Sequence, residues 1–110
     1  MYEENQSFVP ESFMVLYVDK GRTKPNLPRH ELTQRYEMCE DMANLLVDTA
    51  SHQQFQLGIT AEDALERCWR GLLVDPAILT QAESFWVVCR LAELLSWPIP
   101  PAPWPAPLNP

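Results

Sequence analysis

The chain has 110 residues and carries 8 Lys and Arg against 15 Asp and Glu, a formal net charge of −7. That acidity opposes approach to phosphate backbones and to anionic membrane surfaces, so neither nucleic acid nor a membrane is expected as a partner. Hydrophobic residues make up 46% and charged residues 21%, which excludes wholesale disorder and predicts one small core burying about 60–65% of the unfolded surface.

The opening stretch MYEENQSF has acidic residues where a secretion signal needs basic ones and an apolar run. No segment reaches the ~18–20 apolar residues of a membrane span. The expected location is cytoplasmic. The three cysteines, odd in number and without a close pair, fit a reducing compartment.

In FVPESFMVLYVDKG, Pro10 at the first helical position, Glu11 behind it, Lys20 in the last turn and Gly21 just after predict a first helix. FMVLYV also has the composition of a strand, but the chain holds no second clear strand to pair with it. DKGRTKPNLPRH follows as a loop that clusters Lys20, Arg22, Lys24 and Arg29. It reads as a solvated basic linker, with docking onto the acidic face of a second copy as the alternative.

From about Arg29 to Gln54 the spacing predicts a long amphipathic helix, with Leu32, Tyr36, Cys39, Ala43, Leu46 and Ala50 on one stripe and Met42 and Val47 beside it. The opposite face carries Glu37, Asp41, Asn44 and Asp48. These acids read as a solvated face or as a docking face for a basic partner; they lack the loop carbonyls of a calcium site and the ExxH pairs of a di-iron site. His30 and His52 bracket this helix too far apart to share one metal, and solvated or capping roles are expected.

Gly58 ends that helix, and Thr60 with Asp63 begins the next by a capping-box-like pair. The third helix, from Ala61 to Arg70 or slightly beyond, is expected to bury Ala61, Leu65, Cys68, Trp69 and Leu72, with Asp63–Arg67 and Glu66–Arg70 as surface ion pairs. Asp75-Pro76 turns the chain. Thr80 and Glu83 then cap a last helix running to about Ser96. Its polar residues Glu83, Arg90 and Glu93 leave an apolar arc of roughly 200°, wider than a surface helix needs. Either this helix is central in the bundle or part of it meets a partner.

Seven prolines between Pro98 and Pro110 exclude helix in the tail. Trp97, Ile99, Trp104 and Leu108 form an apolar series on a stiff polyproline scaffold. PxxP spacings are present, but no basic residue lies beside them to orient a ligand in an acidic groove. A strap packed on its own domain or on a second copy is therefore expected in preference to a free ligand.

The glycines 21, 58 and 71 stand apart, so neither a P-loop nor a dinucleotide fingerprint can be built; HExxH, CxxC and GxSxG are also missing. Cys39, Cys68 and Cys89 fall on three helices. They read as small core hydrophobes, with a thiolate metal cluster as the alternative. Arg90 has Trp86 one turn before it and Glu93 nearly one turn after, so stacking and an ion pair are expected, together with an acid from another helix such as Glu40 or Glu66. An anion-binding or interface arginine is the other reading.

The motifs SF at Ser12–Phe13, GR at Gly21–Arg22, PR at Pro28–Arg29, RYEMCEDMA, LGIT, LERCWRGL and AESFWVVCRLAELLSW, in that order over residues 8–97, resemble a family of short uncharacterised bacterial proteins. Some members carry the automatic label "ATPase with chaperone activity". The resemblance implies no site residues, and these residues form no phosphate loop that supports the label.

The sequence thus predicts an all-α fold: a small bundle of about four helices over residues 1–97, with a proline-rich extended tail over 98–110. The expected function is a non-enzymatic protein-interaction or accessory module whose partner is another protein or a second copy of itself, in a homodimer. Its candidate contact residues are Trp86, Arg90, Trp97, Ile99, Trp104, Glu37, Asp41 and Asp48. The alternative is a small-ligand or metal-binding protein using the cysteines or a buried arginine; no cofactor is expected.

Overall fold

The structure, a computed structural model, describes residues 8–105. Four α-helices fall within them: α1 (Glu11–Met14), α2 (Arg29–Leu57), α3 (Ala61–Leu72) and α4 (Gln81–Leu95), and α1 runs on into a 3₁₀ turn over Val15–Tyr17. α2 packs against both α3 and α4, and α3 against α4. No β-strand occurs among the described residues. The fold is an all-α bundle.

The first helix is much shorter than its punctuation predicts. Pro10 is the N-cap and not the first helical residue. Helical geometry ends at Tyr17, because Val18 turns extended and forms an isolated antiparallel bridge with Pro25. The Asn26 backbone N–H donates to the Tyr17 carbonyl (2.7 Å), the Arg22 N–H to the Asp19 carbonyl (2.9 Å) and the Asn26 side-chain amide to Asp19 Oδ1 (3.0 Å). These bonds take up groups that a longer helix would have used, and Gly21 supplies the positive φ the turn needs. Lys20 therefore sits in a closed turn.

α2 runs three residues past Gln54 and stops where Gly58 adopts a left-handed conformation. Its 29 residues make it roughly 43 Å long, against roughly 22 Å for the 15 residues of α4. Leu32, Cys39, Ala43 and Ala50 are its buried residues. α3 begins as expected, with the Thr60 hydroxyl accepting from the Asp63 N–H (3.0 Å). It buries Ala64 together with Leu65, Cys68 and Trp69, whereas Ala61 and Leu72 are half-buried. Of the two expected ion pairs on α3, Glu66–Arg70 closes; Asp63–Arg67 is not formed.

α4 is the central helix. Ser84, Trp86, Val87, Val88, Leu91 and Ala92 are all buried against the rest of the chain, each large apolar side chain contributing about 1.5–3 kcal/mol. The broad apolar arc is filled from within. The buried residues form two clusters. One gathers Val9, Phe13, Leu32, Cys39, Ala43, Leu79, Trp86 and Val87; the other gathers Ala50, Leu65, Cys68, Trp69, Val88, Leu91 and Ala92, and Leu46 packs on both.

Candidate functional site

Two ion pairs tie α2 to α4. The Arg35 guanidinium grips both carboxylate oxygens of Glu83, with Nε to Oε2 at 2.9 Å, and also donates to the Ile78 carbonyl (3.1 Å). Further along, Arg90 Nε and Nη2 donate to the carboxylate of Glu40 (2.9 and 3.0 Å), and Nη1 donates to Glu93 (3.0 Å). Because 35 meets 83 and 40 meets 90, the helices run in the same direction. Were they antiparallel, the two arginines would face each other and so would the two glutamates, so the charge order itself selects the parallel seam.

Glu83 was placed on the polar side of α4 by its sequence position, yet it is fully buried. Its carboxylate also accepts from the Thr80 N–H (2.9 Å), completing the capping box. Burial pushes this carboxyl above the ordinary carboxylate range, while the Thr80 N–H opposes the shift; the facing Arg35 guanidinium opposes it as well. Arg35 lies three residues after Leu32 and four before Cys39, in the register of the buried stripe. A cation in that register needs an acid across the interface, and that was the signal for a pair which sequence reasoning missed.

Arg90 is committed in the same way. Its hydrogen bonds to Glu40 and then to Glu93 raise its guanidinium above the usual arginine range, so it forms the structural ion pair expected of it, with Glu40 as the acid. The expected stack on Trp86 is not formed. Trp86 is buried in an aromatic cluster, 5.1 Å from Phe13 and 5.8 Å from Tyr36 between ring centres, and its indole N–H donates to Ser12 Oγ (3.0 Å). Trp86 reaches solvent only along a cleft beside α1 that Ser12 and Phe85 also line. The cation over an indole is instead Arg70, 5.9 Å from the Trp69 ring.

The tail residues divide. Trp97 packs on the second cluster, and Trp104 comes back over Trp69 (5.6 Å) and Phe85 (6.3 Å), so both are half-buried. Ile99 is exposed and Pro100 is buried. Leu108 lies outside the described residues.

The cysteines are not brought together. Cys39 belongs to the first cluster and Cys68 to the second, while Cys89 is half-buried on α4. Among the described residues no group of three His, Cys, Asp or Glu side chains is placed to hold a metal ion. Burial pushes the Cys39 thiol up to about 11, with Arg35 opposing; burial and then Glu93 push Cys89 to about 11. Cys68 is raised by burial as well. All three are therefore neutral thiols at pH 7. A cleft of about 250 Å³ between α1 and α4 is lined by Ser12, Phe85, Cys89, Arg90 and Glu93 among others. Its polar groups are already engaged, Ser12 with Trp86 and Arg90 with its two glutamates.

The outer face of α2 is presented to solvent, as are Phe8, Val74, Ile78 and Ile99 outside the helices. Glu37, Asp41 and Asp48 are exposed on that face of α2, and so are Leu45 (73%) and Phe55 (84%). At 100° per residue these five fall within a sector of about 80°. α3 and α4 expose no large hydrophobic residue. Leu45 could have been found from its place four residues after Asp41 and three before Asp48; Phe55 was hidden because the helix was expected to stop before it. No helix of the described residues is long and apolar enough to cross a membrane. Comparison with protein families, with curated proteins and with solved structures finds no match for the chain.

Proposed function

We propose that the protein is a non-enzymatic interaction module that binds another protein chain through the outer face of α2. The observation that carries this reading is the exposure of Leu45 and Phe55 on one sector of a helix whose inner face is buried. Single exposed apolar residues are common on protein surfaces, but here both fall in the stripe of Asp41 and Asp48 on the longest element of the fold. A surface of this kind fits a partner that offers apolar contact flanked by Lys or Arg. Trp86 and Arg90 leave the contact surface in this reading, because α1 and the glutamates occupy them. The tail serves as a strap over α3 and α4, supported by the packing of Trp104 on Trp69 and Phe85.

The test is capture from the native cell on the immobilised full-length chain, beside a Leu45→Glu/Phe55→Glu variant. Both side chains are mostly in water, so the variant should melt within about 0.5 kcal/mol of the parent. Proteins retained by the parent and lost by the variant support the reading. An identical set retained by both overturns it.

A further inference from the structure

The cations of this chain are unevenly used. Of its eight Lys and Arg residues, four lie between positions 20 and 29. Arg35, Arg70 and Arg90 each hold an ion pair, whereas none of Lys20, Arg22, Lys24 and Arg29 does among the described residues, and all four are exposed. They are not on a loose linker. The Val18–Pro25 bridge and the bonds from Asn26 to Tyr17 and Asp19 close the segment into a turn, so little backbone freedom is lost when the turn meets a surface.

We infer that this basic turn docks on the α2 face of a second copy of the chain, joining two copies about a two-fold axis. The inference rests on the proposed role of that face and supplies its occupant. Each copy carries both halves of the contact, a cationic turn and a surface with Asp41 and Asp48 around Leu45, so a two-fold axis makes the same contact twice. Val15, 53% exposed at the entrance to the turn, adds an apolar residue for Leu45 or Phe55. A phosphate backbone matches the cations but makes no use of Leu45 and Phe55. At physiological salt, charges act over about 8 Å. The local match therefore outweighs the repulsion between two chains of net charge −7.

The experiment is a charge swap read by sedimentation velocity on the full-length chain. One variant reverses the turn (Lys20→Glu/Arg22→Glu/Lys24→Glu), the other reverses the face (Asp41→Lys/Asp48→Lys), and circular dichroism checks that each keeps the helical content of the parent. The parent should dimerise, with a dissociation constant that rises at least tenfold, roughly, between 50 and 300 mM salt. Each variant alone should be monomeric, since like charges then face each other. An equimolar mixture should dimerise again, because the reversed turn of one variant meets the reversed face of the other. If either variant misfolds, the neutral versions Lys20→Gln/Arg22→Gln/Lys24→Gln and Asp41→Asn/Asp48→Asn replace it, and dimers of unchanged strength overturn the inference. A monomeric parent, a variant that still dimerises, or a mixture that does not would each overturn it too. If the parent is monomeric and binds heparin through the turn, the turn belongs to a polyanion. Loss of the dimer alone, with capture by Leu45 and Phe55 intact, removes the second copy and leaves the proposed function standing; loss of both removes both.

Discussion

The two core clusters are closed by different means. At one end α1 seats Phe13 among Tyr17, Tyr36 and Trp86, with ring centres 5.1–5.7 Å from Phe13 and the Trp86 indole N–H satisfied by Ser12. At the other, the non-helical segment after α4 lays Trp104 over Trp69 and Phe85; each end leaves one buried aromatic polar atom without a hydrogen-bond partner, the Tyr17 hydroxyl at the first and Trp69 Nε1 at the second. An unpaired buried polar atom costs about 1–3 kcal/mol at either end, so the ends differ in what closes them: a helix followed by the Val18–Pro25 bridge at one, a segment without helix or strand at the other. The α1 end should be the rigid one and the tail end the first to open.

The largest effect expected on this contrast is from Phe13→Ala. It removes a fully buried ring that touches three other aromatics, and should cost about 3–5 kcal/mol, read as a fall in the urea midpoint. A loss below about 1 kcal/mol would break the comparison at its stronger end. Arg35→Leu, at the same end, leaves Glu83 buried without its cation. Because Arg35 is itself partly in water, about 2–3 kcal/mol is expected, less than for a wholly buried pair. Trp104→Ala uncovers Trp69 at the tail end and should cost about 1–2 kcal/mol. Deletion of residues 98–110 should cost at least as much; unchanged stability after that deletion defeats the strap. Ser12→Ala removes the one hydrogen bond of Trp86 and should cost about 1 kcal/mol by thermal melting.

The smallest effects sharpen the comparison through the thiols. Cys39 reports the α1 end and Cys68 the tail end. Deleting the tail should speed alkylation of Cys68 more than that of Cys39, and Ser12→Ala should do the reverse, as mass spectrometry would show. The thiols also fix a pH dependence. Cys39 and Cys89 move from an ordinary 9.0 to about 11 on folding, so between those values the folded chain holds protons that the unfolded chain has lost. Stability from these groups is complete below pH 9 and is lost as pH rises towards 11. In Cys39→Ala the fall over that window should be shallower.

Much of the scaffold was legible in the residues. Thr60, Thr80 and Gly58 stand where their side chains or backbone freedom end and begin helices, and the stripe from Leu32 to Ala50 faces the core as its spacing required, with Leu32, Cys39, Ala43 and Ala50 buried and Tyr36 and Leu46 half-buried. These signals act between residues three or four apart, so the sequence displays them directly. The first helix was over-extended because the competing bonds come from Pro25 and Asn26, outside the window in which helix punctuation is read. The surface reading found Asp41 and Asp48 but passed over Leu45 between them.

The sequence by itself determined an acidic, all-helical chain, its caps, its apolar stripes and its unequal distribution of cations. Only the tertiary structure decided that Glu83 is buried with Arg35, that Arg90 is held by Glu40, that α4 has no apolar face left over, and that Trp104 lies on Trp69. The two ion pairs join residues 48 and 50 positions apart. Which charge meets which across such a distance depends on the direction and register of packed helices, and no local spacing encodes that.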